Sequence, residues 1–353
     1  MLGVALWADG LGVVIYDTST WQRIHIITAT ERVRSLVFSP DSRRIVSGDK
    51  NGMVQLWDCA SGEGLLVMMG HTDCIQSVAY SSCGNRIASA SCDTTVRLWD
   101  SGTGVCVFDL EGHTNLVLRV RFSPNGRQLI SGGHDGTIRF WDSETGEPGV
   151  VLRPLLGEIY GLAISPDGRW VASGHENGNV RLWDMASGSL GLALQDHSYL
   201  VTGIAFSPNG QSIATSNANR RVMLWDASTG DLISTFDGHS DIVWDVAFSP
   251  DGSTIASGSH DGTVRLGEVN SSRSSIAIQD HIGGAFHAAY SPDGLSIATG
   301  YKNGTVRLWN RSSGAPGPVL DGHSNEVYDL AYSTCGRWIA SYDVDCFARL
   351  WDL

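Results

Sequence analysis

The chain has 353 residues, 42% of them hydrophobic and 17% charged, with 42 glycines and a formal net charge of −13. No apolar run approaches the roughly 20 residues that a bilayer-crossing helix needs, which excludes a transmembrane helix. Only Lys50 and Lys302 of the 24 basic residues are lysines, and an acidic surface repels a polyanion on average, so no nucleic-acid partner is expected.

The opening MLGVALWADG lacks the basic flank and long apolar stretch of a signal peptide and reads as a strand. Residues 1 to 28 hold VALWA, Asp9-Gly10, VVIYD and RIHIITA, the second, third and fourth strands of a four-stranded unit whose first is missing. A 42-residue grid then takes over. Trp57, Trp99, Trp141, Trp183, Trp225, Trp309 and Trp351 end Trp-Asp-like strands on it, and Gly267 stands where another tryptophan would fall. Units copied at this period cannot bury their faces alone and must stack on one another.

In the copy at 113 to 154, NLVLRVRF leads into Ser123-Pro124-Asn125-Gly126, whose residue types fit the four positions of a type I turn. QLISGGH, Asp135-Gly136 and TIRFWD then read as a hairpin, and a fourth strand follows the turn ending at Gly146. Within the first strand, Val117 and Val120 are three apart but Val120 and Phe122 two, which strict alternation forbids and a β-bulge permits. The chain ends on VYDLAYS, RWIASYDV and ARLWDL, three strands without a fourth.

Residues 1–353 therefore read as one domain: a surplus hairpin at 1–17, a closing fourth strand at 18–30, and repeats at 31–70, 71–112, 113–154, 155–196, 197–238, 239–280, 281–322 and 323–353. Pairing residues 22 to 28 beside the C-terminal three strands would complete an eighth blade and remove both open edges. The alternative is seven blades from repeats two to eight, with the first 60 residues as a ragged remnant. Seven cysteines (Cys59, Cys74, Cys83, Cys92, Cys106, Cys335, Cys346) form no Cys-x-x-Cys pair, which fits packed, reduced thiols and a cytoplasmic location.

The Gly-His dipeptides at Gly70-His71, Gly112-His113, Gly238-His239 and Gly322-His323, with the Asp-Gly turns and Trp-Asp ends, resemble the WD-repeat family. That resemblance implies an all-β propeller of four-stranded blades, with eight blades expected. In the near-identity of its copies the chain is similar to the arrays of fungal NACHT-type incompatibility proteins and of some bacterial WD-repeat kinases. No NACHT or kinase segment lies within these 353 residues.

Three copies carry a histidine, serine, aspartate and tryptophan: His71, Ser89, Asp93 and Trp99; His113, Ser131, Asp135 and Trp141; His323, Ser341, Asp345 and Trp351. Repetition argues against a catalytic triad, and no serine sits in a nucleophile elbow, so no catalytic residue is assigned. The resemblance implies structural tetrads instead, in which Asp accepts from His, His meets the hydroxyl, and the hydroxyl meets the indole N–H. Ala29 and Leu155 replace the histidine, and Gly267 removes the indole, marking the sixth repeat as the weakest blade.

The residue after the first valine varies along the grid as Arg34, Gln76, Leu118, Tyr160, Thr202, Trp244, Phe286 and Tyr328. The next position holds Ser35, Ser77, Arg119, Gly161, Gly203, Asp245, His287 and Asp329. The bulge would aim these residues toward one mouth of the propeller's channel. The resemblance to WD-repeat proteins implies that partners bind chiefly across that mouth, where aromatic anchors ringed by polar groups make interaction hot spots. The partner-binding candidates are Leu118, Tyr160, Trp244, Asp245, Phe286, His287, Tyr328 and Asp329.

The expectation is a non-enzymatic, cofactor-free scaffold for protein or peptide partners, a monomeric propeller within a larger complex. One alternative is the C-terminal sensor of a larger NACHT-like signalling protein. A remote one is a small-ligand or metal site where Asp245, His287 and Asp329 converge.

Overall fold

The computed structural model describes residues 13–17, 22–27, 33–194, 199–270, 274–279, 285–344 and 348–353. They form thirty-three strands and no helix. In the third blade Val117–Phe122, Gln128–Gly133, Ile138–Asp142 and Pro148–Leu152 pair in sequence order, each antiparallel to the last. Seven four-stranded sheets share this order, and an eighth sheet has five strands. First strands contact the first strands of neighbouring blades, which places them innermost in an eight-bladed propeller.

Local chemistry sets each blade. Gly126 N–H donates to Ser123 O at 2.8 Å, and Ser123 Oγ donates to Asn125 Oδ1 at 2.7 Å, which closes the first turn. The second turn needs a left-handed residue, and Gly136 supplies it at a φ of 69°. Second strands are buried along almost their whole length because neighbouring blades cover both faces, as in Gln128–Gly133. Fourth strands form the rim, where Val67, Val105 and Val150 are exposed.

The core is a set of seams between blades. Leu98 and Leu110 of blade 2 pack with Val117, Val120 and Trp141 of blade 3, and the same pattern runs round the ring. Its closing seam joins Trp338, Tyr342 and Leu350 of blade 8 to Val33, Ile45 and Trp57 of blade 1. The ring thus closes on eight blades, not seven.

The closing strand differs from the expectation. β1 (Val13–Asp17) and β2 (Gln22–Ile27) pair as an antiparallel hairpin, so only one of them can face the C-terminal strand Ala348–Asp352. β1 takes that place, parallel to it through Val14–Arg349, Ile15–Leu350 and Tyr16–Trp351, and β2 becomes a fifth, outer strand. Both strands carry β-forming residues, and nothing in their pattern says which edge of the hairpin docks. Residues 13–17 thus belong to the eighth blade rather than to a surplus hairpin, while residues 1–12 lie outside the described residues, as does Ala29.

Candidate functional site

The His-Ser-Asp-Trp sets stand at the blade seams. His71 Nδ1 lies 2.8 Å from Asp93 Oδ2, its Nε2 2.7 Å from Ser89 Oγ, and Trp99 Nε1 donates to that hydroxyl at 2.8 Å. The corresponding distances around His113 are 2.8 Å to Asp135, 2.8 Å to Ser131, and 3.0 Å from Trp141 Nε1 to Ser131 Oγ. Both imidazoles are buried and the Ser89 and Ser131 hydroxyls are fully buried with them, so neither hydroxyl is open to a substrate. Burial alone would raise Asp93, yet hydrogen bonds from His71 and Thr95 hold its carboxyl well below the usual range.

In three blades the residue that completes the network was not legible beforehand. In blade 8, His323 Nδ1 meets Asp343 Oδ2 at 3.0 Å, while Ser341 Oγ lies 2.7 Å from its Nε2 and accepts from Trp351 Nε1 at 2.8 Å. Asp345, assigned to that role from spacing, lies outside the described residues. In blade 4, Leu155 stands at the histidine position with a φ of 57° and is 91% exposed. Blade 4 has an imidazole all the same: His175, from the end of the second strand, lies 3.0 Å from Ser173 Oγ, which accepts from Trp183 Nε1 at 3.0 Å. Burial brings His175 down to about 4, so it sits there neutral.

In blade 6, His239 keeps Asp261 and Ser257 at 3.1 and 2.9 Å without an indole. Phe236, from the rim strand of blade 5, lies so close to Gly267 that a Cβ there would meet its ring at 2.6 Å. A cavity of about 10 Å³ remains, no more than a single water's space. Sequence reading also missed Thr95, Thr137 and Thr263, whose hydroxyls lie 2.7, 2.8 and 2.6 Å from the network aspartates. Their signal was available: threonine stands two places after the aspartate in each of those repeats.

The channel mouth is the variable region. A register shift falls in the first strand of every blade, as between Val117 and Arg119, Val243 and Asp245, and Val327 and Asp329. It leaves Leu118, Tyr160, Trp244 and Tyr328 unpaired on the bulge. Leu118, Tyr160 and Trp244 are half-buried and Tyr328 is 52% exposed. Phe286 holds the same place in Ala285–Tyr290, but its side chain lies outside the described residues. Tyr160 Oη donates to Glu158 Oε2 at 2.7 Å, a bond that, with burial, pushes the phenol up to about 12. Trp244 Nε1 is buried and meets no acceptor among the described residues.

Behind these side chains three blades converge. His287 Nδ1 lies 3.2 Å from Asp245 Oδ2 and 3.2 Å from Asp329 Oδ1. Burial works against its charge, but the two carboxylates prevail and raise it to about 9. A protonated Nδ1–H shared by two carboxylates explains the geometry without a metal, and among the described residues no group of three or more His, Cys, Asp and Glu is placed to hold one. Arg121 of blade 3 reaches into the same channel, donating to Ser77 Oγ at 3.3 Å and Val120 O at 2.9 Å. It is open to channel water yet ringed by protein, and that enclosure together with Arg119 brings it down to about 10.

A search of curated proteins finds no match. Among solved structures, the crystal structure of the computationally designed Ika8 protein is similar at 25% identity and a TM-score of 0.82, covering 97% of this chain and 100% of that one. The family described as IFT122 first beta-propeller matches residues 32–216 and again 158–353, so its two alignments together run through all eight repeats. The chain belongs to this β-propeller family.

Proposed function

We propose that the chain is a non-enzymatic scaffold that holds protein or peptide partners across the bulged mouth of its channel. β-Propellers generally serve protein–protein interaction, and the site residues here supply the means. One observation carries the reading: the buried indole N–H of Trp244, which meets no acceptor among the described residues, beside the Asp245, His287 and Asp329 cluster. A buried donor left without an acceptor costs roughly 1 to 3 kcal/mol, which a carbonyl of a bound chain would relieve. Trp244, Phe286 and Tyr328 come from successive blades, and Leu118 and Tyr160 extend the apolar arc. Aromatic anchors rimmed by polar groups are the composition of a hot spot. The described cysteines are all unpaired, which suits a reducing cytoplasm.

The test is capture of partners from a lysate by wild type and by the Trp244→Ala, Tyr328→Ala double variant, with circular dichroism melts of both. The double variant is expected to lose at least about tenfold in captured partner, the loss of one hot-spot residue being worth 2 kcal/mol or more. Its melt is expected to stay near wild type. Equal capture by both proteins would remove the mouth from the proposal.

A further inference from the structure

Blade 2 differs from the other blades where its first and second strands meet the mouth. There the residue after the second strand donates its N–H to the carbonyl of the residue before the first. The bond recurs as Cys92 to Cys74 at 2.8 Å, His134 to Leu116 at 2.9 Å, Ala218 to Leu200 at 2.9 Å and His260 to Ile242 at 2.9 Å. The fold fixes this cross-strand juxtaposition, and blade 2 alone fills it with two cysteines.

Both sulfurs converge on one side chain. Gln76, the bulged residue of this blade, donates from Nε2 to Cys92 Sγ at 3.0 Å and to Cys74 Sγ at 3.6 Å. Residues directly opposed in an antiparallel pair have Cα atoms about 4.5 to 5.5 Å apart, inside the range that a disulfide spans. We propose that Cys74 and Cys92 are a redox-sensitive thiol pair at the channel mouth, closed to a disulfide by a hydroperoxide.

Cys92 is the more accessible sulfur, and burial pushes the Cys74 thiol up to about 12, so Cys92 meets the oxidant first. The Cys92 sulfur attacks the peroxide oxygen; the O–O bond breaks, the alcohol or water leaves, and a sulfenic acid forms. Cys74 then attacks that sulfur, the S–O bond breaks, and water leaves. Two thiols and one hydroperoxide thus give one disulfide, one alcohol and one water, with two electrons passing from sulfur to oxygen. The Gln76 amide, which donates to both sulfurs, stabilises thiolate character as each reacts. Closing the bond draws the sulfurs off Gln76 and frees its amide at the mouth.

The test treats the whole purified chain with graded hydrogen peroxide, blocks residual thiols with an alkylating reagent and maps peptides by mass spectrometry. The expected product is a peptide linked through Cys74 and Cys92, reversed by dithiothreitol. It should exceed any disulfide involving Cys83 or Cys335, the two exposed cysteines, by at least about tenfold, as proximity dictates. In Cys74→Ser, Cys92 should persist as a sulfenic acid trapped by dimedone. The proposal falls if Cys83 and Cys335 are oxidised while Cys74 and Cys92 remain fully alkylated, or if either pairs elsewhere. Neither result bears on partner capture, so this pair and the scaffold reading stand or fall separately.

Discussion

Blades 3 and 6 come from one template and differ most in the third strand, where blade 3 has Trp141 and blade 6 has Gly267. In blade 3 the indole fills the seam and donates to Ser131. In blade 6 the His239, Ser257 and Asp261 bonds persist without it, and Phe236 of blade 5 takes up most of the space. The equivalent of Phe236 at the seam of blades 2 and 3 is Leu110, which packs in the cluster that contains Trp141. The unit of stability is therefore the seam rather than the blade, and a loss on one side is answered from the other. The sixth blade is less deficient than the bare absence of its tryptophan suggests.

The largest expected effect comes from turning blade 3 into blade 6 halfway. Trp141→Gly should cost about 3 to 5 kcal/mol in denaturant unfolding, because Leu110 is too small to fill the hole. Adding Leu110→Phe transplants the other half of the arrangement and should restore part of that loss. A double variant no more stable than Trp141→Gly would break the seam argument. A smaller effect tests whether the polar bonds depend on the indole. His113→Ala and His239→Ala each orphan a buried hydroxyl and should cost roughly 1 to 3 kcal/mol, with partner capture unchanged. A much smaller loss at His239 than at His113 would show that blade 6 keeps the geometry of the network without its energy.

What the sequence disclosed followed from repetition. The 42-residue period gave the four strands, and the count of strand ends gave eight blades. The Val117, Val120 and Phe122 spacing placed the bulge, because turn chemistry and strand alternation are local and averaged over many copies. Compensation for a lost residue was not legible. The imidazole of His175 lies twenty residues after the position where the period expects one, and Phe236 is thirty-one residues before the glycine it answers. Neither pairing is periodic: His175 reaches Ser173 along its own strand, and Phe236 meets Gly267 only when the rim strand of blade 5 is placed against blade 6. The Asp245, His287 and Asp329 cluster was legible as a column, but the sharing of one ring nitrogen by two carboxylates required the curvature of the ring.

The same two blades differ at the channel, where blade 3 contributes Arg119 and Arg121 and blade 6 contributes Asp245 and Ala247. The seam imidazole of His175 and the channel imidazole of His287 are shifted in opposite senses. Burial holds His175 down to about 4, whereas Asp329 and Asp245 overcome burial and the repulsion of Arg119 to raise His287 to about 9. A folded-state value above the unfolded 6.5 gives stabilisation that is fully present below about pH 6.5 and is lost as pH rises through about 9. Asp245→Asn removes one of the two carboxylates, so the His287 resonance followed by NMR should titrate at lower pH than in wild type. The decline in stability between pH 6.5 and 9 should flatten with it. A His287 that titrates at the same pH in both proteins would mean that blade 6 does not reach the channel electrostatically, and that its difference from blade 3 is confined to the seam.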